Sequence, residues 1–289
     1  MHIPVLQKEV LQYLDPKPNE NFIDCTIGEG GHTLAILEKT SPEGKVLGIE
    51  VDPELIKNFK FQDRVILVND SYINLKKIVE KHNFWPVEGI LFDLGMSSWH
   101  LEKSGRGFSF KREESLDMRY SKNAKLTAGE IVNKWPEKEI EQILKEYGEE
   151  RFAKRISKRV IDIRRKKPIT TTFQLIEIIR NSVPKWYCHQ RLHFATKTFL
   201  ALRITVNREL ENLKKGLGEA LEILKPGGRI VIISFHSLED RIVKNFFREN
   251  SSYFKTLTKK PIRPTITEIK LNPRSRSAKL RAAIRILKI

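Results

Sequence analysis

The chain has 289 residues, a formal net charge of +17 and 40% hydrophobic residues, enough for one large core or two smaller ones. Its two cysteines, Cys25 and Cys188, lie far apart with no C-x-x-C spacing, which excludes a disulfide framework and points to a reducing, cytoplasmic setting. No segment approaches the roughly 20 apolar residues of a membrane span, the first residues lack the apolar core of a signal peptide, and the positive surplus points to a polyanionic partner, nucleic acid first.

In chain order, "NFIDC", "KVLGIE", "RVILVN" and "GILFDL" are short β-type runs, each followed by a loop and, mostly, a helical pattern. This rhythm predicts an α/β fold with a parallel sheet and helices on both faces, which binds ligands at the carboxyl ends of its strands. After Asp93 the rhythm stops, and the next comparable strand is "GGRIVIISFHS". The charged stretch between is helical. "LTAGEIVNKW" carries a Thr127 to Glu130 capping box, "PEKEIEQILKEYG" opens on Pro136 and closes on Gly148, and "EERFAKRISKRVIDIRRKKP" is stopped by Pro168. Residues 104–203 are therefore read as an inserted helical domain and residues 1–103 with 204–289 as the sheet domain. "TKTFLALRITVNRELENLKKGLGEALEIL" returns the chain to the sheet as a helix or helix pair, and the apolar end of the tail suits a last strand.

"DCTIGEGGHT" leads from the first strand into a helix through crowded glycines, where backbone passes close to a ligand and the helix start offers unpaired N–H groups. A dinucleotide fingerprint needs Gly or Ala three residues after Gly30, and Thr33 stands there, which disfavours a nicotinamide cofactor. S-adenosylmethionine (SAM), a cofactor without phosphate, is the other ligand this architecture serves. Glu50, closing the second strand, can accept hydrogen bonds from ribose hydroxyls or be an exposed strand-end carboxylate. Tyr72 can face an adenine or simply pack. Asp93 closes the fourth strand, the place for a group facing cofactor and substrate, and capping the next loop is its alternative. Ser234, His236, Ser237 and Asp240 either line a pocket or cap the following helix. "GMSSW" is no hydrolase elbow, because Trp99 occupies the second glycine position. Cys188, His189 and His193 lack a further ligand for a tetrahedral metal site, so no metal is expected.

Ordered motifs running along almost the whole chain, "HIPVL", "DCTIGEGGHT", "DLGMSS", "RGFSF", "LDMRY", "YGEERFAKRI", "LKPGGRIVIISFHSLEDRIVK" and "NPRSRSAKLRA", resemble the bacterial RsmH (MraW) methyltransferases. The resemblance implies a Rossmann-like class I SAM methyltransferase sheet with an inserted helical domain. It implies methylation of the exocyclic N4 of a cytosine in 16S ribosomal RNA of the small subunit. By resemblance, Gly30, Gly31 and His32 contact SAM, Glu50 takes the ribose, Tyr72 lies by the adenine, and Asp93 and His100 complete the pocket. The family usually has Asp at the position of Glu50, Gln at that of His100, Pro at that of Phe194 and Gln at that of Leu200.

Asp93 is the candidate catalytic residue, as acceptor for an N4–H, with a purely cofactor-side role as its rival. Arg155, Lys158, Arg159, Arg164, Arg165, Lys166, Lys167, Arg274, Arg276 and Arg281 are candidate phosphate contacts, with a solvated charged face as the alternative. A non-catalytic RNA-binding protein, an NAD-dependent oxidoreductase and a methyltransferase acting on protein or a small molecule are the competing functions. Assembly is left open, a homodimer included.

Overall fold

A computed structural model describes residues 4–57 and 63–287. They fall into two compact units, one of residues 1–96 with 210–289 and one of residues 97–209, where the sequence reading cuts at 103/104 and 203/204. Among the described residues no helix is long and apolar enough to cross a membrane.

The first unit is built on seven strands: β1 (Phe22–Asp24), β2 (Val46–Glu50), β3 (Val65–Asn69), β4 (Gly89–Asp93), β5 (Arg229–Ser234), β6 (Phe254–Thr256) and β7 (Lys279–Arg285), in the order β3-β2-β1-β4-β5-β7-β6. The first five pair in parallel, and β7 runs antiparallel between β5 and β6. Strand order reverses at β1, so the crevice between the turns after β1 and β4 is the switch point of a doubly wound sheet. Side chains alternate between faces with period two. Ile23, Ile90 and Ile230 pack with Leu75, Leu217 and Phe247 from helices on one side, whereas Phe22, Leu91 and Val231 pack with Val10, Leu14 and Ile36 on the other. Both faces are covered, and the parallel strands β1, β2 and β4 are accordingly near-continuous apolar runs.

The sequence reading misses β6. Only Phe254 of its three residues is buried, too short a stretch to show alternation, and Lys255 reads as polar. The return segment is a helix pair, Thr196–Asn207 and Glu209–Ile223, separated at Arg208 by a left-handed residue with φ 51°.

The second unit is helical, and its local stops and starts follow side-chain chemistry. Thr127 accepts from Glu130 N at 3.1 Å while the Glu130 carboxylate accepts from Thr127 N at 3.3 Å, starting the helix Ala128–Lys134. The helix Glu137–Glu146 follows Pro136, and Ala153–Arg164 ends before Pro168, whose ring disfavours helical backbone in the residue ahead of it. The "RGFSF" and "LDMRY" motifs tie down a long loop. Arg106, 3% exposed, donates to the carbonyls of Arg119 and Tyr120 at 3.1 and 2.7 Å, and Asp117 takes Arg119 in a two-bond fork at 2.7 and 2.8 Å. Gly107 has φ 77°, and a Cβ there would lie 2.2 Å from the Ser115 carbonyl oxygen. Gly107→Ala is expected to lower stability by about 1 to 3 kcal/mol in chemical denaturation, from backbone strain and the displaced carbonyl together.

Candidate functional site

The loop after β1 begins at a buried carboxylate. Asp24, 1% exposed, accepts from Thr26 N at 3.2 Å and from Thr33 Oγ1 at 2.8 Å. Thr33 thus anchors the helix Gly31–Lys39 to β1 by a hydroxyl, at the place where a dinucleotide fold uses a small residue for close packing. Burial pushes the Asp24 carboxyl above its usual range, against the pull of His32 and the two hydrogen bonds. Gly28 and Gly30 both hold positive φ, 52° and 80°, and Gly30 is the cap from which the helix starts. The sequence reading assigns Asp24 no role, although a charged residue closing an apolar strand just ahead of the glycines is a signal for one.

Glu50 ends β2 and turns under the same loop. One carboxylate oxygen accepts from Asp52 N at 2.9 Å, the other from Gly28 N at 3.2 Å, and only 7% of the residue is exposed. Burial is the largest influence on it and pushes its pKa up to about 7, although backbone N–H donors oppose the rise. Each oxygen keeps lone-pair capacity for a further donor. Asp93 ends β4, with its N–H on Thr26 Oγ1 at 2.7 Å and Oδ1 accepting weakly from Gly95 N at 3.4 Å. Its Oδ2 lies 3.5 Å from His32 Nε2. His32 is buried, and neither ring nitrogen has a hydrogen-bond partner among the described residues, an arrangement that costs free energy unless a ligand completes it.

Tyr72 sits in the turn after β3. Its ring meets Phe92 edge-on at 5.4 Å and packs on Gly216, where a Cβ would come within 2.5 Å of it. Part of the ring is thus committed to packing. His100 belongs to the helical unit, 4% exposed, with Nδ1 2.8 Å from Ser97 Oγ and its ring edge-on to Trp99, Phe108 and Tyr120 at 5.0 to 5.4 Å.

Other candidates have structural work. His236 and Glu239 form a capping box at the helix Ser237–Glu249, and Ser234 Oγ donates to Lys279 O at 3.3 Å. His193 is stacked between Phe110 and Phe194 at 4.4 and 4.3 Å, with Nδ1 accepting from Ala195 N at 3.3 Å. Cys25 is buried, and burial holds its thiol well above the ordinary range, so it behaves as a small apolar side chain. Two of the candidate phosphate contacts are corrected by their partners. Arg281, 7% exposed, pairs with Asp240 at 2.7 Å. Arg164 donates to the carbonyls of Val132 and Trp135 at 3.0 and 2.7 Å, closing the end of a neighbouring helix. Arg155, Lys158, Arg159, Arg165, Lys166 and Lys167 are exposed. Arg281→Gln is expected to lower stability by about 2 kcal/mol and leave the salt dependence of RNA binding unchanged, whereas Arg159→Gln should reduce that slope by about 0.7; titrations across a salt series separate them.

The first unit therefore places Asp24, Glu50, Asp93 and a glycine loop that itself carries Glu29 at the carboxyl ends of β1, β2 and β4. A diphosphate would meet this concentration of carboxylates as repulsion. A cofactor bearing a sulfonium, an ammonium and ribose hydroxyls would meet it as attraction. Fold and site together define the class of methyltransferases with a Rossmann-like sheet.

The family model for the MraW methylase family matches residues 1–286, and the chain belongs to that family. The ribosomal RNA small subunit methyltransferase H of Kosmotoga olearia is 47% identical over 293 residues, which cover 99% of this chain and 97% of that one. The protein of the same name from Thermotoga neapolitana is 48% identical over 290 residues, covering 98% and 95%. That from Thermosipho melanesiensis is 48% identical over 290 residues, covering 99% and 98%.

Proposed function

We infer that this chain transfers the methyl group of SAM to the exocyclic N4 of a cytosine in small-subunit ribosomal RNA. The observation that carries the cofactor half is the cluster of strand-end carboxylates around a glycine loop, in a chain whose net charge is +17. The family carries the acceptor half.

SAM, when bound, supplies an electrophilic methyl on a cationic sulfur. Gly30 and Gly31 let backbone approach it, and His32 has two ring nitrogens to offer. Glu50 accepts the ribose hydroxyls, and Tyr72, held edge-on by Phe92, borders the adenine. The role expected of His100 rests on the family resemblance alone. Asp93 is the catalytic candidate. The N4 lone pair is delocalised into the cytosine ring, so the enzyme must hold N4 in line with the methyl and favour its localised form, and positioning can supply much of the rate. Asp93 accepts one N4–H and stabilises the positive charge that develops on nitrogen. The sheet unit holds the cofactor, the helical unit meets RNA, and the target base is unstacked to reach the pocket, because N4 inside a duplex is shielded.

The test is methyl transfer from labelled SAM to small ribosomal subunits lacking the modification, with nucleoside mass spectrometry of the product. N4-methylcytosine at one position is expected. Label recovered in protein, or in another nucleoside, would overturn the acceptor.

A further inference from the structure

The helical unit carries an exposed aromatic group that its own core does not use. Trp186 stands on the short helix Lys185–Cys188 and is 50% exposed, while its neighbour Tyr187 is buried. Tyr187 is fixed by donating its hydroxyl to Glu150 at 2.9 Å. Phe152 meets Tyr187 edge-on at 4.9 Å and Trp186 at 6.1 Å, and the Trp186 and Tyr187 rings stand at 90° to one another. The Arg151 guanidinium lies 5.1 Å from the centroids of both Phe152 and Trp186. Trp186 is thus held by two rings and a cation, at an orientation set before any ligand arrives.

Leaving half an indole in water forgoes the free energy of its burial. Lys154, Arg155 and Lys185, close by in sequence to these rings, are exposed as well. A rigid aromatic face among cations suits an unpaired nucleobase with its phosphates, since bases stack on aromatic rings and on guanidinium planes while Lys and Arg take the backbone. The chain's net charge of +17 favours such a polyanion over a protein surface. We propose that Trp186 and Arg151 form a stacking platform for an unpaired base of the RNA substrate. The proposal rests on the RNA reading above and adds a binding residue to it.

The experiment is an anisotropy titration of a labelled single-stranded RNA, and of its duplex, with the full chain at several salt concentrations. Trp186→Ala is expected to bind the single strand about 5- to 150-fold more weakly, with an unchanged salt slope and little change on the duplex. Arg151→Gln should lower the slope by about 0.7. Unchanged single-strand affinity in a folded Trp186→Ala, or equal losses on single strand and duplex, would overturn the platform. Should Trp186→Ala not fold, Trp186→Phe still decides. A stacked base quenches indole emission, so quenching on RNA addition must shrink in Trp186→Phe relative to the parent, and equal quenching overturns the proposal. A parent chain that binds SAM but no RNA would instead refute the RNA reading, and the platform with it. A parent that methylates RNA while every Trp186 variant binds like it refutes the platform alone.

Discussion

Asp93→Asn is expected to slow methyl transfer about 100- to 1000-fold at saturating SAM, the range for losing one hydrogen-bonding group aimed at developing transition-state charge. The substitution is nearly isosteric and keeps the backbone N–H on Thr26 Oγ1 at 2.7 Å, so the strand end should stay in place. What changes is the charge. An amide oxygen can still accept a weak hydrogen bond from N4–H, but it cannot neutralise a nitrogen becoming positive or receive its proton. Single-turnover rates and calorimetric SAM affinities, measured on the same variant, separate the two roles. Loss of rate with affinity largely retained assigns Asp93 to the reacting nitrogen. Loss of affinity with the rate at saturation retained assigns it to the cofactor. If neither changes, both roles fail.

Glu50→Ala is expected to weaken SAM binding about 5- to 150-fold, because two ribose hydroxyls lose a buried acceptor worth roughly 1 to 3 kcal/mol. The wild-type site should also bind SAM more tightly as pH rises. The carboxylate is the accepting form, and its pKa stands at about 7 in the free protein, so below that value binding must first expel a proton and affinity falls with pH. Stability of the cofactor-free protein runs the other way. Its folded pKa of about 7 lies above the ordinary 4.5, so the folded state holds the extra proton between those values and stability declines as pH rises from about 4.5 to 7. Glu50→Gln should remove that decline and, with it, the pH dependence of SAM affinity. Calorimetry from pH 5.5 to 8.5, paired with thermal melting of the free protein, tests both signs; a flat wild-type affinity profile would count against Glu50 as the ribose acceptor.

The sequence by itself determined whatever depends on neighbours along the chain. Strand and loop alternation specified the parallel sheet, because covered strands must be apolar on both faces. Gly30, Glu50 and Asp93 were legible as candidates because strand ends and glycines mark where a doubly wound sheet binds ligands. The Thr127 capping box was legible because its two hydrogen bonds join residues three apart. Only the tertiary structure decided matters set by residues distant in sequence. Asp24 joined the candidate carboxylates because Thr33 and burial hold it at the strand end. Arg281 and Arg164 left the set of free cations because Asp240 and two helix-end carbonyls already engage them, and Trp186 stood out only once Tyr187 and Phe152 were seen to hold it upright. Charge can be counted along a chain, but whether a charge is solvated, buried or paired depends on what folding brings against it, and that burial is what moved Glu50 into the range where it titrates near neutrality.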